Sequence, residues 1–276
     1  MLKINENIEQ AVFQLRYEYG QFYLDRCGRI LREILKDHPE WVVADAPNPQ
    51  HASLICTDNG CAFNFGIAAL DLSLRRDIDG APISDDDLNL FFKQIEVMTS
   101  IVVDRLEIFE LRRIGFRQVF CFPVDSKEEA AQWIMNRKCW KVDQRLSSLF
   151  DSEPKSESMT LEYDGDDRFF RLAIQAGERG ESKIFGSRKH VVRTKDLSRS
   201  QQSHLALSEK QKYSKGVIDK ARNIRSAEWG RPNIAMVDVD ASIDDPESDI
   251  QPEKFAKSSN DRILTIVSKI AKGFDK

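Results

Sequence analysis

At 276 residues, with 41% hydrophobic and 31% charged residues, the chain has the composition of an ordinary soluble globular protein. It is long enough to bury a sizeable core, as one large domain or two closely packed halves. No apolar run approaches the roughly 20 residues that cross a bilayer, and Met1-Leu-Lys-Ile-Asn-Glu-Asn7 lacks the apolar core and cleavage site of a secretory signal, so a cytoplasmic protein is expected. The net charge of −4 conceals an asymmetry. Between Lys183 and Arg231 stand thirteen Lys or Arg against four acids, a balance of +9, while the rest of the chain carries 28 basic and 41 acidic residues.

Taken in order, Ala11–Tyr19 alternates Phe13, Leu15, Tyr17 and Tyr19 with Gln14, Arg16 and Glu18, the period of a half-buried strand. From Leu24 to His38, Cys27, Ile30, Leu31, Ile34 and Leu35 recur at helical spacing until Pro39 ends the helix. Asp45–Gln50 reads as a loop. Three short strands follow: Ser53–Thr57, Cys61–Gly66 and Ala69–Arg75, the first two joined by the tight-turn signal Asp58-Asn-Gly60. Ser84 is an N-cap, with Asp85, Asp86 and Asp87 placed to favour the first turn of a helix that buries Leu88, Phe91, Phe92, Ile95, Met98 and Val102.

The stretch Phe109–Phe122 is strand-like and carries Arg112, Arg113 and Arg117 among apolar residues. Gly115 within it marks a bulge or a close backbone approach. Ser126 caps a helix holding Ala130, Ala131, Trp133, Ile134, Trp140 and Leu146. Met159–Tyr163 and Phe169–Gln175 form a hairpin, and Lys183–Arg193 adds a strand. Gln201–Ala227 is polar and reads as helical, Ile234–Ala241 is a strand, and Pro252–Phe274 is an amphipathic helix that buries Phe255, Ile263, Ile266, Val267, Ile270 and Phe274. The five cysteines, Cys27, Cys56, Cys61, Cys121 and Cys139, read as free thiols, with Cys56 and Cys61 on opposite arms of a hairpin.

Written as element types, the chain reads β-α-βββ-α twice, as residues 1–108 and 109–276, with a basic insertion at about 183–231 in the second copy. Ile67-Ala-Ala-Leu-Asp-Leu72 echoes Ile234-Ala-Met-Val-Asp-Val239, and the alternation from Phe13 echoes that from Phe116. The expected fold is α+β: two fused repeats with antiparallel sheets side by side and helices covering one face. Gln14, Arg16, Glu18, Asp71, Ser73, Arg117 and Asp238 are then expected to line the opposite face.

The order of elements, with Arg113-Ile114-Gly115-Phe116-Arg117 on the middle strand and Val-Asp-Val-Asp before a last helix, resembles a sporadically distributed bacterial family of unknown function with an Arg-Ile-Gly-x-Arg central strand. Members follow that core with a Tyr-Ile-Asn-like stretch where this chain has Gln118-Val119-Phe120, and the long basic block is atypical of them. The resemblance implies a fold and supplies no activity. Its patchy distribution implies association with mobile elements or defence.

No hydrolytic triad, phosphate-binding Gly-rich loop or paired metal-ligand motif is legible. His38, His51, His190 and His204 fall in no recognisable motif, and no cofactor is called for. The reading is therefore a non-enzymatic binding component that works through a protein partner or self-association. The alternative is a nucleic-acid-binding module in which Lys183, Arg188, Lys189, Arg193, Lys195, Arg199, Lys210, Lys212, Lys215, Lys220, Arg222 and Arg225 neutralise phosphates, with Tyr213 or Trp229 stacking on a base. A third reading, a metal-dependent hydrolase, centres on Asp238 and Asp240, which point the same way from one strand. Arg113 and Arg117 share a sheet face, where they bind an anion or form ion pairs with Asp71 or Asp238.

Overall fold

The computed structural model of the protein describes residues 4–18, 20–76, 82–136, 158–165, 167–178, 233–247 and 249–272. The basic segment 183–231, with the strand and helix expected there, lies outside the described residues, as do Cys139, Trp140, Leu146 and Phe274.

Among the described residues, nine strands form one antiparallel sheet and four α-helices pack on it. The chain runs β1 (Ile8–Tyr17), α1 (Tyr23–Asp37), β2 (Trp41–Asp45), β3 (His51–Cys56), β4 (Ala62–Gly66), β5 (Ala69–Arg75), α2 (Asp85–Leu106) and β6 (Leu111–Val124). It continues as α3 (Lys127–Asn136), β7 (Ser158–Asp164), β8 (Phe169–Glu178), β9 (Asn233–Asp244) and α4 (Pro252–Lys272). The sheet order is β2-β3-β4-β5-β1-β6-β9-β8-β7, with β1 and β6 paired in the middle, Phe13 opposite Phe116.

The structure departs from the expected arrangement in two respects. The sheets do not lie side by side; backbone pairing between β1 and β6 fuses them into one. The first half also has a fourth strand after its helix, β2, in the short run between Pro39 and Pro47, where no polar alternation advertises it.

Alternation sets the core. Ala11, Phe13, Leu15 and Tyr17 of β1 and Ile114, Phe116, Phe120 and Phe122 of β6 face the same way as Leu70, Leu72 and Leu74 of β5 and Val237, Val239 and Ala241 of β9. All four helices contribute to this cluster, so they cover one face of the sheet. Phe116 is fully buried, its ring 6.0 Å from that of Phe92 on α2. α2 starts as its sequence demands: Ser84 Oγ accepts from the Asp87 backbone N–H at 3.0 Å, and the Asp87 carboxylate accepts from the Ser84 N–H at 2.9 Å. α3 repeats half of the device: Ser126 Oγ accepts from Glu129 N–H at 3.0 Å, while the Glu129 carboxylate accepts from the Asp125 N–H at 2.8 Å. In α1 the buried face begins at Tyr23, whereas Leu35, expected in the core, is 37% exposed.

The core also holds a polar contact between the sheet and α4. Gln118 on β6 donates from Nε2 to Asn260 Oδ1 of α4 at 2.9 Å, while Gln118 Oε1 is buried without a partner. Arg168, ahead of β8, holds α4 from the other side, donating to Ser259 Oγ at 2.8 Å with its guanidinium 5.3 Å from the centre of the Phe255 ring.

Candidate functional site

The face away from the helices carries the polar residues that alternation left over. Ser53, Asn64, Asp71, Gln14, Gly115 and Ser242 lie in one row across six strands. The next row runs Ser73, Val12, Arg117, Asp240 and Arg171. Further along the same face, Val119, Cys121, Ile234 and Met236 form a small apolar cluster. Glu18 is not part of this surface. A register shift after Arg16 takes it off the strand, and its carboxylate pairs with Arg112 Nε at 2.7 Å.

Arg113 and Arg117 both reach acids of β9. Arg113 donates to Asp240 Oδ2 at 2.7 Å, and Arg117 Nε to Asp238 Oδ1 at 2.7 Å. These pairs tie β6 to its neighbour within the second half and do not bridge β1 to β6. The hydrogen bond to Asp238 pushes the Arg117 guanidinium above its ordinary value. Burial pushes the Asp240 carboxyl up, against the pull of Arg113. Asp238 and Asp240 each face a guanidinium rather than each other, and among the described residues no group of three or more His, Cys, Asp or Glu is placed to hold a metal ion.

Asp71 pairs with neither arginine. Its Oδ2 accepts from Asn64 Nδ2 at 2.9 Å, and burial raises its carboxyl above the usual range. A carboxyl whose folded pKa lies above the unfolded one contributes stability below the unfolded value, and that contribution is lost as pH rises through the folded value. Asp71→Asn should therefore raise the denaturant midpoint at about pH 8 and leave it almost unchanged at about pH 3, where the Asp71 carboxyl is largely protonated in both the folded and the unfolded state. Equal shifts at both pH values would contradict the assignment.

Gly115 sits at neither a bulge nor a close approach. The ladder runs through it without a shift, and a Cβ built there meets Asp240 Oδ1 at 3.7 Å, an ordinary contact. Gly115→Ala is therefore expected to be neutral or to stabilise by up to about 1 kcal/mol in urea unfolding, through reduced chain entropy in the unfolded state.

The other polar cluster lies at the β3–β4 turn. Cys56 and Cys61 occupy opposite arms, as their spacing implies, and both thiols are fully buried. Gln94 of α2 donates to Cys56 Sγ at 3.3 Å and accepts from Asn59 at 3.1 Å. The cluster fixes the turn against α2, with no described histidine or acid placed to activate a thiol.

The remaining feature is a pocket on the helix side of β7–β8–β9, under the last turns of α4, with a volume of about 270 Å³. Its floor is Leu172, Val239 and Ile270, all buried, and its half-buried walls are Phe170 and Ile266. Its exposed members are Tyr163, 52% accessible, and Lys269. Among the described residues the side chain of neither makes a hydrogen bond or an ion pair. The pocket opens beside β7, the last strand in that direction among the described residues. Unpaired strand edges are ready templates for another extended chain.

Sequence reading placed Ile266 and Ile270 on the buried face of the last helix and Tyr163 at the end of a hairpin strand. It did not bring them together, and it passed over Lys269. The signal was limited to an aromatic at a strand end and a lysine flanked by apolar helix positions. No protein-family model matches the chain, and no curated protein matches it. Among the described residues no helix is long and apolar enough to cross a membrane.

Proposed function

We propose that this protein is a non-enzymatic binding component of a bacterial cytoplasmic system, working through contact with a protein partner at the β7–α4 corner. One observation carries this reading: an open apolar pocket lies directly beside β7, the terminal strand among the described residues, with an exposed tyrosine at its rim. Strand addition to β7 supplies main-chain hydrogen bonds, and a partner side chain in the pocket supplies selectivity. The arginine and aspartate pairs on the polar face favour the same reading, since Arg113, Arg117, Asp238 and Asp240 are engaged with one another.

The test is co-purification from cells that naturally produce the protein, with nuclease digestion before elution. The expected result is a protein partner retained after digestion and reduced at least tenfold by Tyr163→Asp, a change at an exposed site with a stability cost of about 0.5 kcal/mol or less. Loss of all bound protein on digestion, or retention by Tyr163→Asp, would sink the reading.

A second reading rests on charge. The +9 balance of 183–231 suits a nucleic-acid contact by counterion release, which predicts affinity for DNA or RNA at low salt that collapses as salt rises. No affinity at low salt would dismiss it.

We also propose that the chain is a duplication, residues 1–108 and 109–276, related to the sporadic bacterial family with the Arg-Ile-Gly-x-Arg strand. The order β5-β1-β6-β9 supports the duplication, since each central strand is flanked by the last strand of its own half. The two sequence echoes imply different equivalences. Phe13 faces Leu72 and Phe116 faces Ala241, so matching the phenylalanines pairs Leu72 with Ala241, two residues from the Val239 of the strand echo. Both equivalences keep every side chain on its face of the sheet.

A further inference from the structure

We infer that the pocket between β7, β8, β9 and the end of α4 takes a single apolar chain or ring that ends in a negatively charged group, with Lys269 as the counter-charge and the Tyr163 hydroxyl as a hydrogen-bond donor. The inference rests on the partner reading of the same corner and names what the partner inserts: a large apolar side chain with a carboxylate beside it.

Size sets the first limit. A volume of about 270 Å³ falls just below the roughly 300–1,000 Å³ of pockets that hold drug-sized ligands, so it suits one side chain or a short acyl chain. Polarity sets the second. Leu172, Val239 and Ile270 form a buried floor with no polar side-chain atom, so the inserted part must be apolar. Charge sets the third. Among the described residues, Lys269 is the one charged residue lining the pocket, and it is exposed and has no ion-pair partner. A cationic end group would meet an uncompensated ammonium there, whereas a carboxylate pairs with it while both remain partly hydrated. Tyr163, equally exposed, adds a donor on the same rim.

The test uses the full chain labelled at isoleucine δ1-methyls, because Ile266 and Ile270 both line the pocket. Decanoate, decylamine and decanol are titrated as probes of equal chain length. The expected result is saturable movement of the Ile266 and Ile270 signals by decanoate, with decylamine binding roughly fivefold more weakly. Lys269→Glu, at an exposed position, should invert that order. Ile266→Trp, which fills the pocket from a half-buried wall, should abolish decanoate binding while the circular dichroism spectrum is unchanged.

Equal binding of decanoate and decylamine overturns the charge assignment. Failure of decanoate to shift either methyl below its micelle concentration overturns the site, as does decanoate binding that survives Ile266→Trp. The two readings fail separately. Decanoate binding with no protein recovered in the co-purification refutes the protein partner and leaves the pocket chemistry standing. A partner lost on Tyr163→Asp, with no decanoate binding, does the reverse.

Discussion

Phe116→Ala should cost about 3–5 kcal/mol of folding stability, read as a fall in the urea midpoint with an unchanged slope. Phe116 is fully buried on the central strand, opposite Phe13 of β1 and Ala241 of β9, and its ring meets Phe92 of α2. Removing the ring leaves a cavity where the two halves of the sheet and the helix layer meet, and the paired strands on either side limit collapse into it. A loss below about 1 kcal/mol would mean that the centre of the sheet is packed otherwise than described.

The second large effect is expected at Arg117. Its side chain is 39% exposed and that of Asp238 only 17%, so removing the arginine strands an acid that is mostly out of water. Arg117→Leu should destabilise by about 2 kcal/mol, below the roughly 3–5 kcal/mol of a fully buried pair because solvent screens the exposed partner. Arg117→Leu combined with Asp238→Leu should recover most of that loss, since the pair's desolvation disappears along with its attraction. A double-mutant cycle in urea measures the coupling. If the arginine served an external anion instead, the single substitution would leave stability intact and abolish a stabilising effect of added phosphate.

The fold was legible wherever local chemistry decides. The Ser84 box, the helix it starts, the strand Ala69–Arg75 and the Asp58-Asn-Gly60 turn follow from their residues alone. Alternation along Phe13, Leu15 and Tyr17 says which side chains share a face, but it is silent on which strand lies beside which. The single sheet, set by pairing of β1 with β6 across about a hundred residues of chain, could not be read from it. β2 was missed because its Val42, Val43 and Ala44 are only partly buried and show no period. Arg113 and Arg117 were legible as sharing a face, while their partners depend on β9 lying next to β6. The pocket shows the same limit. Tyr163 and Lys269 come from distant segments, and only the order β9-β8-β7 under α4 makes them neighbours.

The partner is proposed to bind at the β7 edge and the pocket beside it, and amide hydrogen exchange tests that placement most directly. With the captured partner bound, the amides of Ser158–Asp164 should exchange more slowly, while those of Trp41–Asp45 on the opposite edge should not change. Unchanged exchange in Ser158–Asp164, with protection appearing instead along Trp41–Asp45 or on the polar face around Gln14 and Asp71, would contradict it.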